Sequence, residues 1–476
     1  MKNPHITTDV SVLVLAAAVM CFCSGAPAMA GSTAKAASPH IESCKAYADT
    51  AKIFIDEKKY ADALGGLMKA RECLIAGGGA KSPMKAETDY AIGSALLQTD
   101  RPREALPYLK DSLKLFEAIY GKESAQACEA QYYAAKAELF SGDAKSALAR
   151  FLRVIDLRKK LYGADDKSVG VACGWAASAY SELARYPVAA IELEAEYALL
   201  SKSSGPESGY ALNALADAGR MRLYAGDFAP AIAHLNVVLE TRGKSGAPPD
   251  ASLLLMLGEA YSGAGAYVSA RDTYAAAGPA IAKSPGTGSD EYAKWLSDVG
   301  ELQRMTGDYG AALESQRQAL KILLTRHGRK APLVSDVYAF IGKTYMEQGD
   351  YAKALERFRE CLGIRKSLRG ERDQDTARAH LYIGGALEAW NDLDGAAKEY
   401  RAALDNMAAV RGPRHFDTGN IIRSLGGLEY KKGDFAAAAR NYEEAHSIIS
   451  DALGKDDERA VWCLVGEARS MKAKGD

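Results

Sequence analysis

Small and apolar residues recur along this chain with a fixed long period. A Gly-Asp-aromatic step stands at Gly307, Gly349 and Gly433, and Asn391 fills the place between the last two, so that neighbouring steps are 42 residues apart. The register continues towards the N-terminus with one shorter step of 39 residues before Gly265. The ten turn positions are Lys58, Asp100, Gly142, Ala184, Gly226, Gly265, Gly307, Gly349, Asn391 and Gly433. Such a period predicts a solenoid, whose repeats contact only their neighbours.

Two further positions hold small residues in every repeat. The residue five places after each turn position is alanine, as at Ala354, and the residue seven places before it is glycine or alanine, as at Gly342. Small sites on both sides of a turn predict two helices in close contact, because a larger side chain would overpack the seam. Each repeat is therefore predicted to be helix, tight turn, helix. Glycine or asparagine closes the first helix in a left-handed conformation, and aspartate caps the second.

This pattern resembles the tetratricopeptide repeat. In the repeat at 337–364 the matching residues are Tyr338, Ile341, Gly342, Tyr345, Gly349, Asp350, Tyr351, Ala354 and Phe358. The 42-residue period with glycine-centred links, as at Gly121 and Gly370, is similar to the kinesin-light-chain subtype, and the resemblance covers residues 43–476. It implies an all-α fold of tandem helix-turn-helix repeats stacked into a right-handed superhelical α-solenoid.

The N-terminus has the features of a bacterial export signal. Lys2 precedes the apolar stretch 10–23, and Ala28-Met29-Ala30 forms a small-x-small cleavage site before Gly31. We predict a signal peptide at 1–30 and a disordered linker at 31–41, with an uncleaved anchor as the alternative. No other apolar run is long enough to span a bilayer. The mature protein is therefore expected to be periplasmic or secreted, without stable membrane insertion.

The repeats are expected to form two groups and a cap. Repeats 1–5 occupy 43–242 and repeats 6–10 occupy 250–456. The short 39-residue step coincides with a Gly/Pro-rich stretch at 243–249, which we interpret as a hinge; a longer surface loop is the alternative. Residues 457–476 are predicted to form a C-terminal capping helix over the last open face. The apolar residues assigned to its covering side are Val461, Trp462, Leu464 and Val465.

Charge and cysteines narrow the range of partners and compartments. The net charge is −1, which gives no basic excess for a phosphate backbone, so nucleic acid is not an expected partner. No cysteine pair has zinc-site spacing. Cys44 is near the start of the first predicted helix and Cys73 near the end of the second, and these places are adjacent in an antiparallel hairpin. A disulfide and two buried free thiols both remain open.

No stretch of the chain matches a catalytic, metal or cofactor motif. The sequence at Gly243-Lys244-Ser245 lacks the upstream glycine of a phosphate loop, and 392–395 lacks the closing glutamate of a calcium loop. The seven histidines show no metal-ligand spacing. We therefore predict a protein that is not an enzyme and needs no metal and no cofactor.

The resemblance implies that the first helices line a concave groove. In this register the lining sites fall thirteen, ten, six and three residues before each turn. The candidate ligand-binding residues at these sites are Tyr90, Tyr132, Lys136, Arg220, Lys343, Arg378, Asn420, Arg423 and Tyr430. One group is aromatic, around Lys136; the other is cationic, where Gly385 and Gly427 expose the backbone. A solvated mixed surface is the alternative for both groups.

These expectations favour a non-catalytic protein–protein interaction scaffold of the bacterial cell envelope. It would bind a protein or extended peptide along the groove. One alternative is a protein that binds a small molecule or cell-wall fragment, which requires an enclosed apolar pocket. The other is a regulatory subunit of a separately encoded enzyme. The lining sites six residues before the turns contain no asparagine, so the carboxylate clamp of some family members is not expected.

Overall fold

The computed structural model describes residues 39–246, 248, 250–455 and 457–475. The predicted signal peptide at 1–30 and most of the predicted linker lie outside the described residues. Within the described ranges the chain forms 21 α-helices, one short π-helical turn at Ala282–Gly286 and no β-strand. The predicted all-α solenoid of helix hairpins is confirmed.

The chain divides into two compact units, residues 1–247 and 248–476. The helices of unit 1 are α1 (Pro39–Asp56), α2 (Tyr60–Ala76), α3 (Pro83–Gln98), α4 (Pro102–Tyr120), α5 (Ala125–Phe140), α6 (Ala144–Tyr162), α7 (Lys167–Glu182), α8 (Tyr186–Ser204), α9 (Gly209–Ala225) and α10 (Phe228–Lys244). Because α1 begins at Pro39, the prediction of a disordered linker was wrong for residues 39–41, which are helical.

Unit 2 continues the same alternation and adds one helix. Its helices are α11 (Ala251–Gly263), α12 (Tyr267–Ile281), α13 (Asp290–Met305), α14 (Tyr309–His327), α15 (Pro332–Glu347), α16 (Tyr351–Arg369), α17 (Gln374–Ala389), α18 (Leu393–Arg411), α19 (Phe416–Lys432), α20 (Phe435–Leu453) and α21 (Glu458–Lys474). Odd-numbered helices are the first helices of their repeats. The boundary between the units falls inside the predicted hinge at 243–249, although residues 243–244 still belong to α10. A bending motion there stays a prediction.

The backbone at the turns follows the repeat register. All ten turn positions have a positive φ, from 55° at Ala184 to 92° at Gly142. Four of them are not glycine. Asparagine and aspartate tolerate this conformation, but Lys58 and Ala184 show that the turn geometry persists where the residue type is unfavourable. The following aspartates, except Asp227, cap the second helices: the Asp350 carboxylate accepts from the Lys353 amide at 3.2 Å, and Asp434 accepts from the Ala437 amide at 2.9 Å.

The seam between the two helices of each repeat is as close as the small residues indicate. All ten alanines five residues after the turns are fully buried. A Cβ built on Gly342 would lie 2.5 Å from the Phe358 ring, and one on Gly384 would lie 2.5 Å from the Tyr400 ring. Neither distance is physically allowed, so these glycines are required for the large residue on the second helix to pack.

Successive first helices also contact one another directly. Such contacts join α3, α5 and α7 in unit 1; in unit 2 they join α11, α13, α15 and α17, and also α19 and α21. Each unit therefore presents a row of adjacent first helices on one side, which we call its first-helix face. The hydrophobic core lies between this row and the second helices.

The last helix, α21, covers the final repeat with a different side from the predicted one. Ala460, Cys463 and Ser470 are its buried residues. Val461, Trp462 and Leu464, which were expected to cover the core, are exposed. The reason is register: Gly475 has φ 95° and occupies the eleventh turn position, so α21 packs as the first helix of an eleventh repeat would.

Candidate binding surface

The aromatic group predicted in unit 1 comes together around Lys136. The Lys136 ammonium lies 4.4 Å from the centre of the Trp175 ring and 5.3 Å from that of Tyr133. Tyr90 packs edge-on against Tyr133 at 5.2 Å between ring centroids, and Tyr132 does so at 5.4 Å. The three helices α3, α5 and α7 thus share one aromatic cluster.

This aromatic cluster is closed to solvent. Tyr90, Tyr132 and Lys136 expose 5%, 2% and 5% of their surfaces, because rings from three adjacent helices cover one another. Burial, followed by the nearby Tyr133 and Glu129, raises the pKa of Tyr90 well above its usual value. The Tyr90 hydroxyl is therefore neutral at physiological pH. A ligand-binding role for these residues stays a prediction.

Arg220, the remaining candidate in unit 1, lies on α9. Its guanidinium is hydrogen-bonded to Asp217, three residues earlier on the same helix. This pairing offsets the positive charge with which Arg220 would attract an acidic ligand.

The cationic group predicted in unit 2 is distributed over three first helices. On α15, the Lys343 ammonium lies 5.1 Å from the centre of the Tyr382 ring and 5.4 Å from that of Phe340. Lys343 has no carboxylate partner among the described residues. On α17, Arg378 lies 3.5 Å from Asp375 and is exposed. Lys343 and Arg378 thus both lie on first helices of unit 2, but Lys343 contacts aromatic rings and Arg378 contacts a carboxylate.

Arg423 and Tyr430 on α19 do meet, at a cavity of about 160 Å³. Tyr442 of α20 and Trp462, Val465, Gly466 and Arg469 of α21 complete its wall. Asn420, on the same helix, does not line this cavity. The residues of α21 were not assigned to a binding site in the sequence analysis because that helix was treated as a cover, and Tyr442 lies on a second helix, outside the lining register. Counting back from Gly475, however, Trp462 and Arg469 lie thirteen and six residues before the turn, and the same register would have identified them.

The surface between these cations is open at two glycines. A Cβ on Gly385 would meet only the Tyr400 hydroxyl, at 3.7 Å, and one on Gly427 only the Tyr442 hydroxyl, at 3.4 Å. The neighbouring Glu388 adds little free negative charge, because its carboxylate binds the Lys431 ammonium at 2.7 Å and the Tyr400 hydroxyl at 2.7 Å. The first-helix face of unit 2 therefore combines accessible backbone with cationic side chains.

A larger cavity lies elsewhere in unit 2, between α12 and α13. Its volume is about 440 Å³. Tyr267, Tyr274 and Trp295 supply aromatic walls, and Arg271 and Gln303 are among its polar groups. Its size and mostly apolar wall are typical of small-molecule sites.

Comparisons with known families agree with this architecture. The tetratricopeptide repeat family model matches residues 85–160, 250–325 and 333–409. The chain therefore contains tetratricopeptide repeats, which indicate a protein–protein interaction scaffold and are typically non-catalytic. None of the described helices is both long and apolar enough to cross a membrane.

Several solved structures are similar at low sequence identity. The structure of BtubC (BKLC) from P. vanneervenii is 20% identical, with a TM-score of 0.39, and the match covers 44% of this chain and 83% of that one. A putative kinesin light chain with nearly identical repeats from Podosopora anserina is 19% identical over 43% of this chain and 98% of that one, with a TM-score of 0.39. The apo form of RapI is 13% identical over 76% and 97%, with a TM-score of 0.46. No curated protein sequence matches this chain significantly.

Proposed function

We propose that this protein is a non-catalytic scaffold that binds a protein or an extended peptide along the first-helix face of unit 2. The observation that carries the proposal is the open backbone at Gly385 and Gly427 beside Lys343 and Arg423. A ligand strand approaches such backbone closely, while the cations attract acidic groups on the ligand. The tetratricopeptide repeats support a protein partner.

Site-specific photo-crosslinking tests where the partner lies. A photoreactive amino acid is placed at Gly385, where a Cβ meets only the Tyr400 hydroxyl at 3.7 Å. The matched control is the same residue at exposed Lys398 on the second helix α18. We expect covalent partner adducts from position 385 and none from position 398. Equal yields from both positions would contradict the proposal.

Charge reversal tests the contribution of the cations in the same repeats. The test variant carries Lys343→Glu, Arg378→Glu and Arg423→Glu. The control carries Arg359→Glu, Lys398→Glu and Arg440→Glu, one exposed residue of the second helix in each of the same three repeats. We expect the test variant to lose partner capture and the control to keep it, at equal helical content. A test variant with full capture would rule out a cationic surface.

We further propose that the protein is exported to the bacterial cell envelope or secreted, after removal of residues 1–30. The basic start, apolar stretch and Ala28-Met29-Ala30 sequence support this. Intact-mass measurement of the exported protein should give a chain that begins at Gly31. A cytoplasmic protein that retains all thirty residues would show the proposal to be wrong.

The cavity between α12 and α13 supports a second candidate function, the binding of a small aromatic molecule. The dye 8-anilinonaphthalene-1-sulfonate suits its rings and Arg271. We expect dye fluorescence to rise with the native protein and to fall with Ala275→Trp, which fills the cavity. Unchanged dye binding in that variant would eliminate this candidate.

A further inference from the structure

The small cavity at the end of unit 2, which we call the terminal pocket, is built from three helices. Arg423 and Tyr430 come from α19, Tyr442 from α20, and Trp462 and Arg469 from α21. The pocket is therefore complete only because α21 packs as the first helix of an eleventh repeat. A cover that buried Trp462 in the core would not form it.

The polar groups of the terminal pocket are cationic or neutral donors. The Nε of Arg423 is buried without a hydrogen-bond acceptor. In the described part of the chain, neither Arg423 nor Arg469 has a carboxylate partner, although most arginines of unit 2 do. Buried donors without acceptors are unfavourable, so the pocket is suited to an anion from outside the chain.

Comparison with the preceding repeat shows how the donor set arises. In repeat 9 the Tyr400 hydroxyl donates to Glu388 at 2.7 Å. In repeat 10 the corresponding residues are Tyr442 and Tyr430, so the place of the internal carboxylate is taken by a second tyrosine. Burial raises the pKa of Tyr442, and the Arg423 charge opposes this effect. Tyr442 thus remains a protonated donor beside the two arginines.

The size and rim of the pocket indicate what kind of anion fits. A volume of about 160 Å³ corresponds to roughly five water molecules, which is enough for one acidic side chain but too small for a typical small-molecule ligand. At the rim, Trp462 is 53% exposed and Val465 adds a second apolar side chain. An apolar rim beside a cationic pocket matches an acidic residue followed by an apolar one.

We propose that the terminal pocket binds a carboxylate side chain of an extended acidic peptide. Arg423 and Arg469 donate to the carboxylate, the Tyr442 hydroxyl is a third donor, and a neighbouring apolar residue of the peptide packs on Trp462. This inference rests on the proposed peptide-binding function and gives it a ligand class. Arginine is suited to the task because its planar guanidinium matches carboxylate geometry.

The probe for the experiment is a fluorescein-labelled hexapeptide of alternating glutamate and leucine, measured by fluorescence anisotropy. The comparison ligands are the same peptide with glutamine in place of glutamate, and free N-acetylglutamate as a competitor. The variants are Arg469→Gln, whose side chain is exposed, Arg423→Gln and Tyr442→Phe. Arg440→Gln is the control, because Arg440 is an exposed arginine elsewhere on α20.

We expect the glutamate peptide to bind at least about tenfold more tightly than the glutamine peptide. Each arginine variant should weaken binding about tenfold or more, as loss of one hydrogen bond to a charged group implies. Arg440→Gln should bind normally. Melting temperatures identify any variant that fails to fold. If Arg423→Gln does not fold, the binding of Arg469→Gln alone tests the inference.

Three results would overturn the inference: equal binding of the two peptides, normal binding by Arg469→Gln, or free N-acetylglutamate as tight as the peptide. These results are distinguishable from failure of the proposed function. Crosslinks from position 385 with no peptide preference would reject the pocket and keep the scaffold. Peptide binding without those crosslinks would keep the pocket and reject binding along the first-helix face.

Discussion

At the scale of single residues, the left-handed backbone of the turns is energetically unfavourable wherever a residue such as alanine replaces glycine. Ala184 has φ 55°, a left-handed conformation that an L-residue with a Cβ adopts at a cost of about 1–2 kcal/mol. Glycine has no such cost, although it loses more chain entropy on folding. The surrounding repeat therefore holds Ala184 in place against its own preference.

Replacing Ala184 with glycine should stabilise the protein. We expect the free energy of unfolding to rise by about 0.5–1 kcal/mol, because relief of the left-handed strain exceeds the added chain entropy. The matched control is Gly226→Ala at the next turn, where φ is 77° and the change should be destabilising. Urea titration followed by circular dichroism measures both. A destabilised Ala184→Gly variant would contradict this account of the turns.

The seam glycines should be intolerant of size. Gly342→Leu would place its side chain where the Phe358 ring now lies, since even a Cβ would come within 2.5 Å of that ring. We expect a loss of about 1–3 kcal/mol in unfolding free energy. Gly363→Leu is a suitable control, because a Cβ there meets no atom within 4 Å. Similar unfolding curves for Gly342→Leu and the native protein would disprove the close seam.

The seam and the turns were predictable from the sequence because each is a local requirement repeated ten times. One glycine proves little, but a small residue at the same register in every repeat specifies a helix pair. The exposure of Tyr132 and Lys136 was not predictable in this way. It depends on how rings from three neighbouring helices pack, and side chains at equivalent sites differ from repeat to repeat.

At the scale of helices, a disulfide joins the two helices of the first hairpin. The structure links Cys44 of α1 to Cys73 of α2, with 5.4 Å between their Cα atoms. Cys128, Cys173, Cys361 and Cys463 are buried free thiols. Disulfides form in oxidising compartments, so the bridge is to be sought in exported protein.

We expect peptide mapping of unreduced exported protein to find Cys44 linked to Cys73. Closing a loop of 29 residues should contribute about 3–4 kcal/mol to the first hairpin in the loop-entropy model. In the Cys44→Ala/Cys73→Ala variant the first hairpin should therefore unfold at a lower urea concentration. Cys44→Ala alone should lower that concentration by the same amount, because either change removes the bridge. Alkylation of both thiols without reductant would show that the bridge does not form in the exported protein.

The orientation of α21 shows where helix-scale prediction failed. Its large apolar residues suggested the covering side, yet Ala460 and Cys463 face the core. A first helix packs through fixed register positions whatever the size of the residues there, and α21 follows that register up to Gly475. Hydrophobicity alone therefore gave the wrong face, while the repeat period contained the right one. The terminal pocket was missed for the same reason.

At the scale of the whole molecule, stability in a repeat array is a sum of repeat and neighbour contributions. The core of unit 2 reflects this, since it consists of successive clusters, each shared by adjacent helices. The last cluster contains Cys463 together with Ile422, Ile448 and Ile449. Disruption at one end should therefore destabilise the adjacent helices and leave the distant repeats folded.

Cys463→Asp tests this locality, because it places a carboxylate in the last cluster and should undock α21. Hydrogen exchange should show amide protection lost over α19–α21, with opening free energies lower by about 3 kcal/mol or more, since a buried unpaired charge is strongly unfavourable. Protection over α13–α15 and throughout unit 1 should hardly change. Leu464→Asp is the control, because Leu464 is exposed on the same helix. If protection instead falls equally across all of unit 2, that unit unfolds as one cooperative block, and the nearest-neighbour description of its stability is wrong.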